Sequence, residues 1–277
     1  MPVSCIDHLF RRVCDPAFMV MGEKAMTIKL SGKTALITGA SRGIGEAAAR
    51  TLAAYGANVL LAARSANDIE RIAGEIGDKA HAVPCDVSIF DDVERAVQAA
   101  EHRFGGLDIL INNAGVIDPI SRIEASDPRA WGRIVDVNLK GVYHGLRAAH
   151  PALKSRGGGV IVNISSGAAV NALEGWSHYC ATKAAVLSLT RCAHKEWTED
   201  GIRVIGLSPG TVETDMQVAI RESGINPVSK LDSSAHIPTE WVAEAIAWLT
   251  TDAAREHDGG DFSLKTDEGR RAVGLVS

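Results

Sequence analysis

The sequence has little of what several classes of protein require. Its five cysteines, Cys5, Cys14, Cys85, Cys180 and Cys192, are scattered and form no Cys-x-x-Cys. That argues against a disulfide framework and fits a reducing compartment, so a cytoplasmic location is expected. The nine histidines contain no His-x-x-x-His or His-Glu-x-x-His pair, and no metal site is expected. No apolar run approaches the ~18 residues of a membrane span, so no membrane partner is expected. An excess of basic charge is missing too. Lys plus Arg number 29 and Asp plus Glu 34, a formal net charge of −5. A non-specific nucleic-acid binder is clearly basic, so nucleic acid is not an expected partner either.

What is present is an ordinary globular composition, 46% hydrophobic and 23% charged, over 277 residues. Bulk disorder is excluded, and one large α/β domain of this length can bury a sizeable core. Residues 1–25 read differently. Arg11 and Arg12 follow Leu9 and Phe10, and no long apolar stretch with a small-residue cleavage site comes after them. A secretory signal is therefore not expected, and Asp7, Asp15 and Glu23 count against a transit peptide. The expectation is a disordered, dispensable leader over 1–25 and a single domain over 26–277.

From Lys33 onward, short apolar runs alternate with longer helical patterns. Strands are predicted at residues 34–38, 58–62, 80–83, 109–111, 160–164, 203–207 and 261–264. Helices are predicted at 44–55, 66–76, 89–104, 128–153, 178–199 and 239–250. Strands alternating with helices mean βαβ units. With right-handed crossovers they build a Rossmann-like, doubly wound parallel sheet of about seven strands, helices on both faces. Its ligand site lies beyond the C-terminal ends of the strands.

Chemistry gathers at those ends. The first strand runs into Thr38-Gly-Ala-Ser-Arg-Gly-Ile-Gly45, which sets Gly39, Gly43 and Gly45 at a strand-to-helix turn. Glycines let a backbone approach a pyrophosphate, and a helix N-terminus offers free N–H groups with a partial positive charge. The spacing is G-x-x-x-G-x-G, not the standard fingerprint. Asp86 and Val87 follow the third strand, Asn112 to Gly115 the fourth, Ser165 and Ser166 the fifth, and Pro209 to Thr214 the sixth. Tyr179 and Lys183 stand four apart on a predicted helix and share one face. Two unit charges ~4 Å apart at an effective dielectric of ~20 interact by ~4 kcal/mol. The phenol is therefore expected to fall from ~10 toward ~7, a suitable value for a general acid/base.

In order along the chain, TGASRGIG, NNAG, Ser166 with YCATK, and PGTVET closely resemble the short-chain dehydrogenase/reductase family in its single-domain branch, from about Leu30 to Leu264. The resemblance implies hydride transfer between a nicotinamide cofactor and a small carbonyl or alcohol substrate. It implies that Gly39, Ser41, Arg42, Gly43, Ile44 and Gly45 hold the cofactor phosphates and that Asp86 and Val87 flank the adenine. Asn113, Ala114 and Gly115 would steady the sheet beside the cofactor, and Pro209, Gly210, Val212 and Thr214 would meet its carboxamide and diphosphate. Asn138, Ser166, Tyr179 and Lys183 match the catalytic set: a water holder, a substrate-oxygen donor, the proton exchanger, and a ribose-binding lysine that lowers the tyrosine pKa. Ser165 competes with Ser166, and family spacing favours Ser166. Two other readings keep the fold: a catalytically idle nucleotide-binding scaffold, which the intact set argues against, and a sugar-nucleotide epimerase, whose larger C-terminal region is absent.

The second strand ends Ala62-Ala63-Arg64-Ser65, with Ala63 where relatives that prefer NAD(H) carry an acid. Arginine grips a phosphate through paired charge-assisted hydrogen bonds. NADP(H) is the expected cofactor, with Arg64, Arg42 and Ser65 around its 2′-phosphate and NAD(H) as the alternative. Leu173 and Trp176 are expected to line the substrate pocket under a lid over 213–238. A homotetramer or homodimer is expected from the resemblance and from Trp241, Val242, Ile246, Trp248 and Leu249 on the helix at 239–250.

Overall fold

The computed structural model describes residues 28–277, and the leader expected over 1–25 lies outside them. In chain order the elements are β1 (Thr34–Thr38), α1 (Gly43–Ala54), β2 (Asn58–Ala63), α2 (Ala66–Ile76), β3 (Ala80–Pro84), α3 (Phe90–Phe104), β4 (Ile109–Asn112) and α4 (Pro128–Val135). After a π-turn (Asp136–Lys140) come α5 (Gly141–Ser155), β5 (Gly159–Ile164), α6 (Ser177–Trp197), β6 (Ile202–Ser208), α7 (Asp215–Ser223), α8 (Thr239–Leu249), β7 (Asp261–Ser263) and α9 (Asp267–Val273). The seven strands form one parallel sheet in the order β3-β2-β1-β4-β5-β6-β7. The doubly wound sheet expected from the sequence is what the chain adopts.

The strands are apolar end to end because both faces are covered. Along β1, Ala35 and Ile37 join the core under α1, α2 and α8, where Ala48, Leu52, Ile69, Ile72, Val242 and Ile246 are buried. Leu36 points the other way, into the core under α3, α5 and α6 with Val93, Val97, Leu146, Leu153 and Val186. This is the period-two alternation of a strand serving two cores.

Two expectations change here. The helix expected over 128–153 is interrupted at Asp136–Lys140 by a π-turn. The extra residue in that turn rotates Asn138 inward, where it is 1% exposed and engages the loop after β4. Such insertions gather at functional sites. The apolar face of α8 does not await a partner. Val242, Ile246 and Leu249 are fully buried and Trp248 is 6% exposed within the chain itself. The half-buried Trp241 carries the Arg270 guanidinium 5.8 Å from its ring centre. That face packs on its own sheet and on α1, so it gives no reason to expect an oligomer.

α5 approaches β4 closely because Gly141 and Gly145, one turn apart, present no side chain to it. A Cβ at Gly141 would stand 2.8 Å from Val87 Cγ2, and one at Gly145 2.2 Å from Asn112 Oδ1. Asn112 cannot step aside, because its Nδ2 donates to Asn163 Oδ1 at 2.9 Å and Asn163 Nδ2 donates to Thr190 Oγ1 at 2.9 Å. Gly145→Ala is expected to lower the free energy of unfolding by about 2 kcal/mol through overpacking, read as a drop in the urea midpoint at unchanged slope.

Candidate active site

The sheet order turns between β1 and β4, and the strand ends diverge there into a crevice. Thr38, the last residue of β1, ties its two sides together. Its Oγ1 accepts the N–H groups of Asn113 (3.0 Å) and Ala114 (3.1 Å) and donates to Ile111 O (3.3 Å). Asn113 returns the contact, its Nδ2 donating to Thr38 O (2.9 Å) and Gly39 O (3.1 Å). Asn113 therefore braces the sheet, as expected, and the Thr38 hydroxyl is a partner that the sequence reading missed although it opens the glycine motif.

The glycine turn follows at once. Gly39 and Gly43 have φ of +65° and +56°, a region that side chains disfavour. Gly45 lies so close to the strand that a Cβ would meet Gly39 O at 2.3 Å. No side chain caps α1 at Arg42, so its first-turn N–H groups stay free for an anion. These residues, with Ser41 and Ile44 between the glycines, suit a pyrophosphate, and the cradle fits a dinucleotide. Thr214 closes it from the opposite side, its Cγ2 3.4 Å from where a Gly43 Cβ would stand. The segment leading to Thr214 contains the buried Pro209, Gly210 at φ +83°, and Val212, whose side chain is buried beside Ile237.

Other expected contacts are modified. Val87 is 7% exposed and belongs to the core under α5, and its carbonyl lies 2.8 Å from His144 Nδ1. Asp86 Oδ1 is occupied by Ser88 N (2.9 Å) and Ser88 Oγ (2.7 Å). At the end of β2, Ala63 is buried and Arg64 and Ser65 are exposed. Arg64 makes no salt bridge among the described residues. Arg42 already pairs with Asp215 at 3.2 Å, and the Ser65 hydroxyl donates to Asp68. Of the three groups expected around a 2′-phosphate, Arg64 is the uncommitted one.

The four residues expected to form the catalytic set lie on the loops and helices beyond β4 and β5. Asn138 Oδ1 accepts Val116 N–H (2.8 Å) and its Nδ2 donates to Val116 O (2.7 Å). A Cβ on Gly115 would stand 3.6 Å from Asn138 Oδ1 and 4.0 Å from Lys183 Nζ, so that glycine leaves a gap between them. Ser166 begins the turn after β5, its Oγ accepting Ala168 N–H at 3.1 Å. The same hydroxyl draws the pKa of the Tyr179 phenol down, against the larger effect of burial. Ser165, buried, points to the other side of the strand.

Tyr179 and Lys183 do share a face of α6, but the expected electrostatics are overturned. Burial dominates: it pushes the Tyr179 phenol up to about 12 and the Lys183 ammonium down to about 8. Lys183 Nζ donates to Ile164 O at 2.6 Å and lies 5.5 Å from the centre of the Tyr179 ring. The strand-end carbonyl of Ile164 holds the ammonium beside the phenol ring. Burial thus favours the neutral form of the phenol.

Beside Tyr179 stands an apolar wall. Trp176 meets the phenol ring edge-on, centres 5.6 Å apart, and Ile117, Ala168 and Ile220 are buried with it. Leu173, Met216 and Val228 pack against them, which brings Leu173 and Trp176 together with the segment over 213–238. Asn226 Nδ2 anchors that lid on Glu174 O at 3.0 Å. A residue not singled out from the sequence, His178, is 1% exposed and sits opposite Pro119 O (2.6 Å), while its Nδ1 accepts Tyr179 N–H (2.6 Å). Those bonds tie the loop after β4 to the first turn of α6. The only sequence signal of His178 is adjacency to Tyr179. The buried Cys85 thiol is pushed up to about 12 by desolvation and is inert as a nucleophile. Among the described residues no His/Cys/Asp/Glu group could hold a metal, and no helix is long and apolar enough to cross a membrane.

A family model described as short chain dehydrogenase matches residues 33–224. A cyclohexanol dehydrogenase of Acinetobacter sp. (strain SE19) is 32% identical over 246 residues, 87% of this chain and 96% of that protein. An uncharacterized oxidoreductase of Staphylococcus aureus (strain MRSA252) is 37% identical over 227 residues, 82% and 94% of the two chains. Among solved structures, a 3-ketoacyl-(acyl-carrier-protein) reductase from Brucella melitensis complexed with NADH superposes with a TM-score of 0.77. It is 35% identical, over 85% of this chain and 98% of that one.

The buried amine generates a pH signature. Lys183 keeps its proton to about pH 8 in the folded chain and to 10.5 when unfolded. Its contribution to stability is present above 10.5 and is lost as pH falls through 8. From pH 8 to pH 10, wild type should gain about 2 kcal/mol relative to Lys183→Met in urea unfolding. A flat difference would show the amine to be solvated.

Proposed function

We propose that this chain, which belongs to the short chain dehydrogenase family and is an oxidoreductase, interconverts a carbonyl and a secondary alcohol with NADP(H), Tyr179 serving as acid and base. The observation that carries the reading is a buried phenol whose ring centre lies 5.5 Å from Lys183 Nζ and which Ser166 influences, with Asn138 and Lys183 both beside Gly115. A bound nicotinamide dinucleotide supplies the hydride. The protein's part is the proton. In reduction, Tyr179 Oη gives its proton to the oxygen that becomes the alcohol, and in oxidation it takes one back. Ser166 Oγ donates to that oxygen and orients it. Lys183 steadies the tyrosinate left behind, and Asn138 holds the loop carrying Val116 while offering a place for a relay water. The apolar wall of Trp176, Leu173, Met216 and Ile220 suits a medium-sized, largely apolar substrate and keeps water from the reacting carbon. Residues 26–277 act as one catalytic domain in the cytoplasm.

Arg64 supports NADP(H). It is an exposed, uncommitted cation beside the buried Ala63, where an acid would repel a 2′-phosphate. A homo-oligomer, tetramer or dimer, is supported by a different surface from α8. Tyr143 on α5 is 51% exposed and shares an apolar groove with Leu139 and with Ala185, Leu189 and Cys192 of α6.

Tyr179→Phe should bind dinucleotide nearly as wild type and lose ~10²–10⁴-fold in kcat. Retention of more than about a tenth of the wild-type rate would sink the acid/base role. For the cofactor, kcat/KM on one reducible carbonyl should favour NADPH over NADH, and Ala63→Asp with Arg64→Val should move the ratio toward NADH. Equal values in wild type, or a preference for NADH, overturn the assignment.

A further inference from the structure

The first turn of α6 carries Tyr179 and lacks an ordinary cap. Trp176, which precedes the helix, makes no side-chain bond to it. The first N–H groups of a helix have no partner within it, and the buried Tyr179 is shut away from the water that could serve instead. His178 fills that place. Its Nδ1 accepts Tyr179 N–H at 2.6 Å, and its Nε2 lies 2.6 Å from Pro119 O in the loop after β4. A backbone N–H can only donate, so Nδ1 is the acceptor, and Nε2 is the nitrogen that offers a hydrogen to the carbonyl. His178 is itself buried, so both bonds are dry. The neighbouring Ser177 is held differently, its Oγ accepting Trp131 Nε1–H from α4 at 3.1 Å.

We infer that His178 is a positioning residue for Tyr179: one imidazole holds the backbone of the tyrosine against the loop that borders the dinucleotide crevice. The inference rests on the reading of Tyr179 as acid and base. That loop leaves β4 through Asn113, which is bound to Thr38 and to Gly39 of the glycine turn. Asn138 then clamps Val116 through both of its backbone groups. Ile117 is buried in the wall beside Tyr179, and Ser121 N donates to Gly175 O at 3.1 Å. Pro119 lies between these last two contacts, so its carbonyl is a fixed point, and His178 sets the helix turn of the phenol from that point. A general acid works only within hydrogen-bond reach of the oxygen that it protonates, and that oxygen must also stand over the dinucleotide. The distance between phenol and crevice therefore governs the rate, and His178 bridges the two backbones that define it. Apolar contact between Trp176 and the phenol is non-directional, whereas two hydrogen bonds to backbone atoms set distance and orientation together.

The test separates the two ends of the imidazole. His178→Phe removes both bonds, His178→Asn places an amide oxygen where Nδ1 stands, and His178→Gln places an amide nitrogen where Nε2 stands. His178→Phe should lose about 10- to 100-fold in kcat while the Kd of NADPH, read by fluorescence titration, stays within about twofold of wild type. His178→Asn and His178→Gln, each keeping one bond, should recover part of the loss, and they carry the test should His178→Phe fail to fold. In a Tyr179→Phe background the same substitutions should change the residual rate by less than about twofold, because the group being positioned is gone. A merely structural loss would lower that rate by the same factor as in wild type. Hydrogen exchange gives a readout without turnover. In the substrate-free protein the peptide from Trp176 to Thr182 should exchange faster in His178→Phe, with the second half of α6 unchanged. A kcat within about twofold of wild type in every folded variant, or an equal loss in the Tyr179→Phe background, overturns the inference. The two proposals fail separately. An active Tyr179→Phe removes the acid/base reading, and the exchange data still decide whether His178 holds that turn. An inactive Tyr179→Phe beside unimpaired His178 variants removes only the role of His178.

Discussion

The hydroxyl of Thr38 is the contact on which the crevice depends. Between β1 and β4 the winding of the sheet reverses, so the segments leaving these strands separate: Gly39 leads into α1, and Asn113 into the loop that reaches Asn138. Nothing in parallel pairing holds such segments together past the last ladder bond. Thr38 does so by accepting two N–H groups and donating to Ile111, while Asn113 bonds back to Thr38 and Gly39. Each bond contributes about 1 kcal/mol net, and their greater value is geometric. They fix the glycine turn against Gly115, and so against Asn138 and Lys183, making one crevice out of two loops.

Desolvation then decides the chemistry of the groups that the crevice holds. The i, i+4 spacing of Tyr179 and Lys183 suggested a phenol acidified by its neighbour, whereas burial raises it. Here the Ile164 carbonyl takes the ammonium, and burial raises the phenol while lowering the amine. This resting state is suited to giving a proton to a developing alkoxide.

What could be read from the sequence follows from the range of the interactions involved. Strand and helix order, the glycine turn and the clustering of polar residues at strand ends all come from local patterns, and the sheet reproduces them. The π-turn was invisible because its cause is Val116, some twenty residues away, which rewards Asn138 for turning inward. The same holds for α8, whose tryptophans and isoleucine suggested an oligomer face. Amphipathic content says that a face is covered, while only the tertiary structure says that the cover is the chain's own sheet and Arg270. Val87, singled out beside Asp86 for its place at a strand end, belongs to the core because Gly141 makes room for it. His178 carried no motif at all.

The face of the sheet beneath α6 shows why so many of these residues are polar. At the entry ends of the strands it is apolar, with Leu110, Ile161 and Val204. Two residues on come Asn112, Asn163 and Gly206, and two further still Ser165 and Ser208. A buried polar row costs stability unless its members satisfy one another. Asn112 Nδ2, Asn163 and Thr190 are joined in a chain of bonds, as are Ser208 and Asp261, while Asn112 Oδ1 and Ser165 Oγ are buried without a partner. This arrangement fixes α6 in register along the sheet, because a slip of one turn would set Val186 against Asn163 and leave amides unpaired. It also brings the polarity of the crevice underneath the helix that carries Tyr179 and Lys183. The apolar half of that face holds the helix in place, and the polar half lies beneath the end that presents Tyr179 and Lys183.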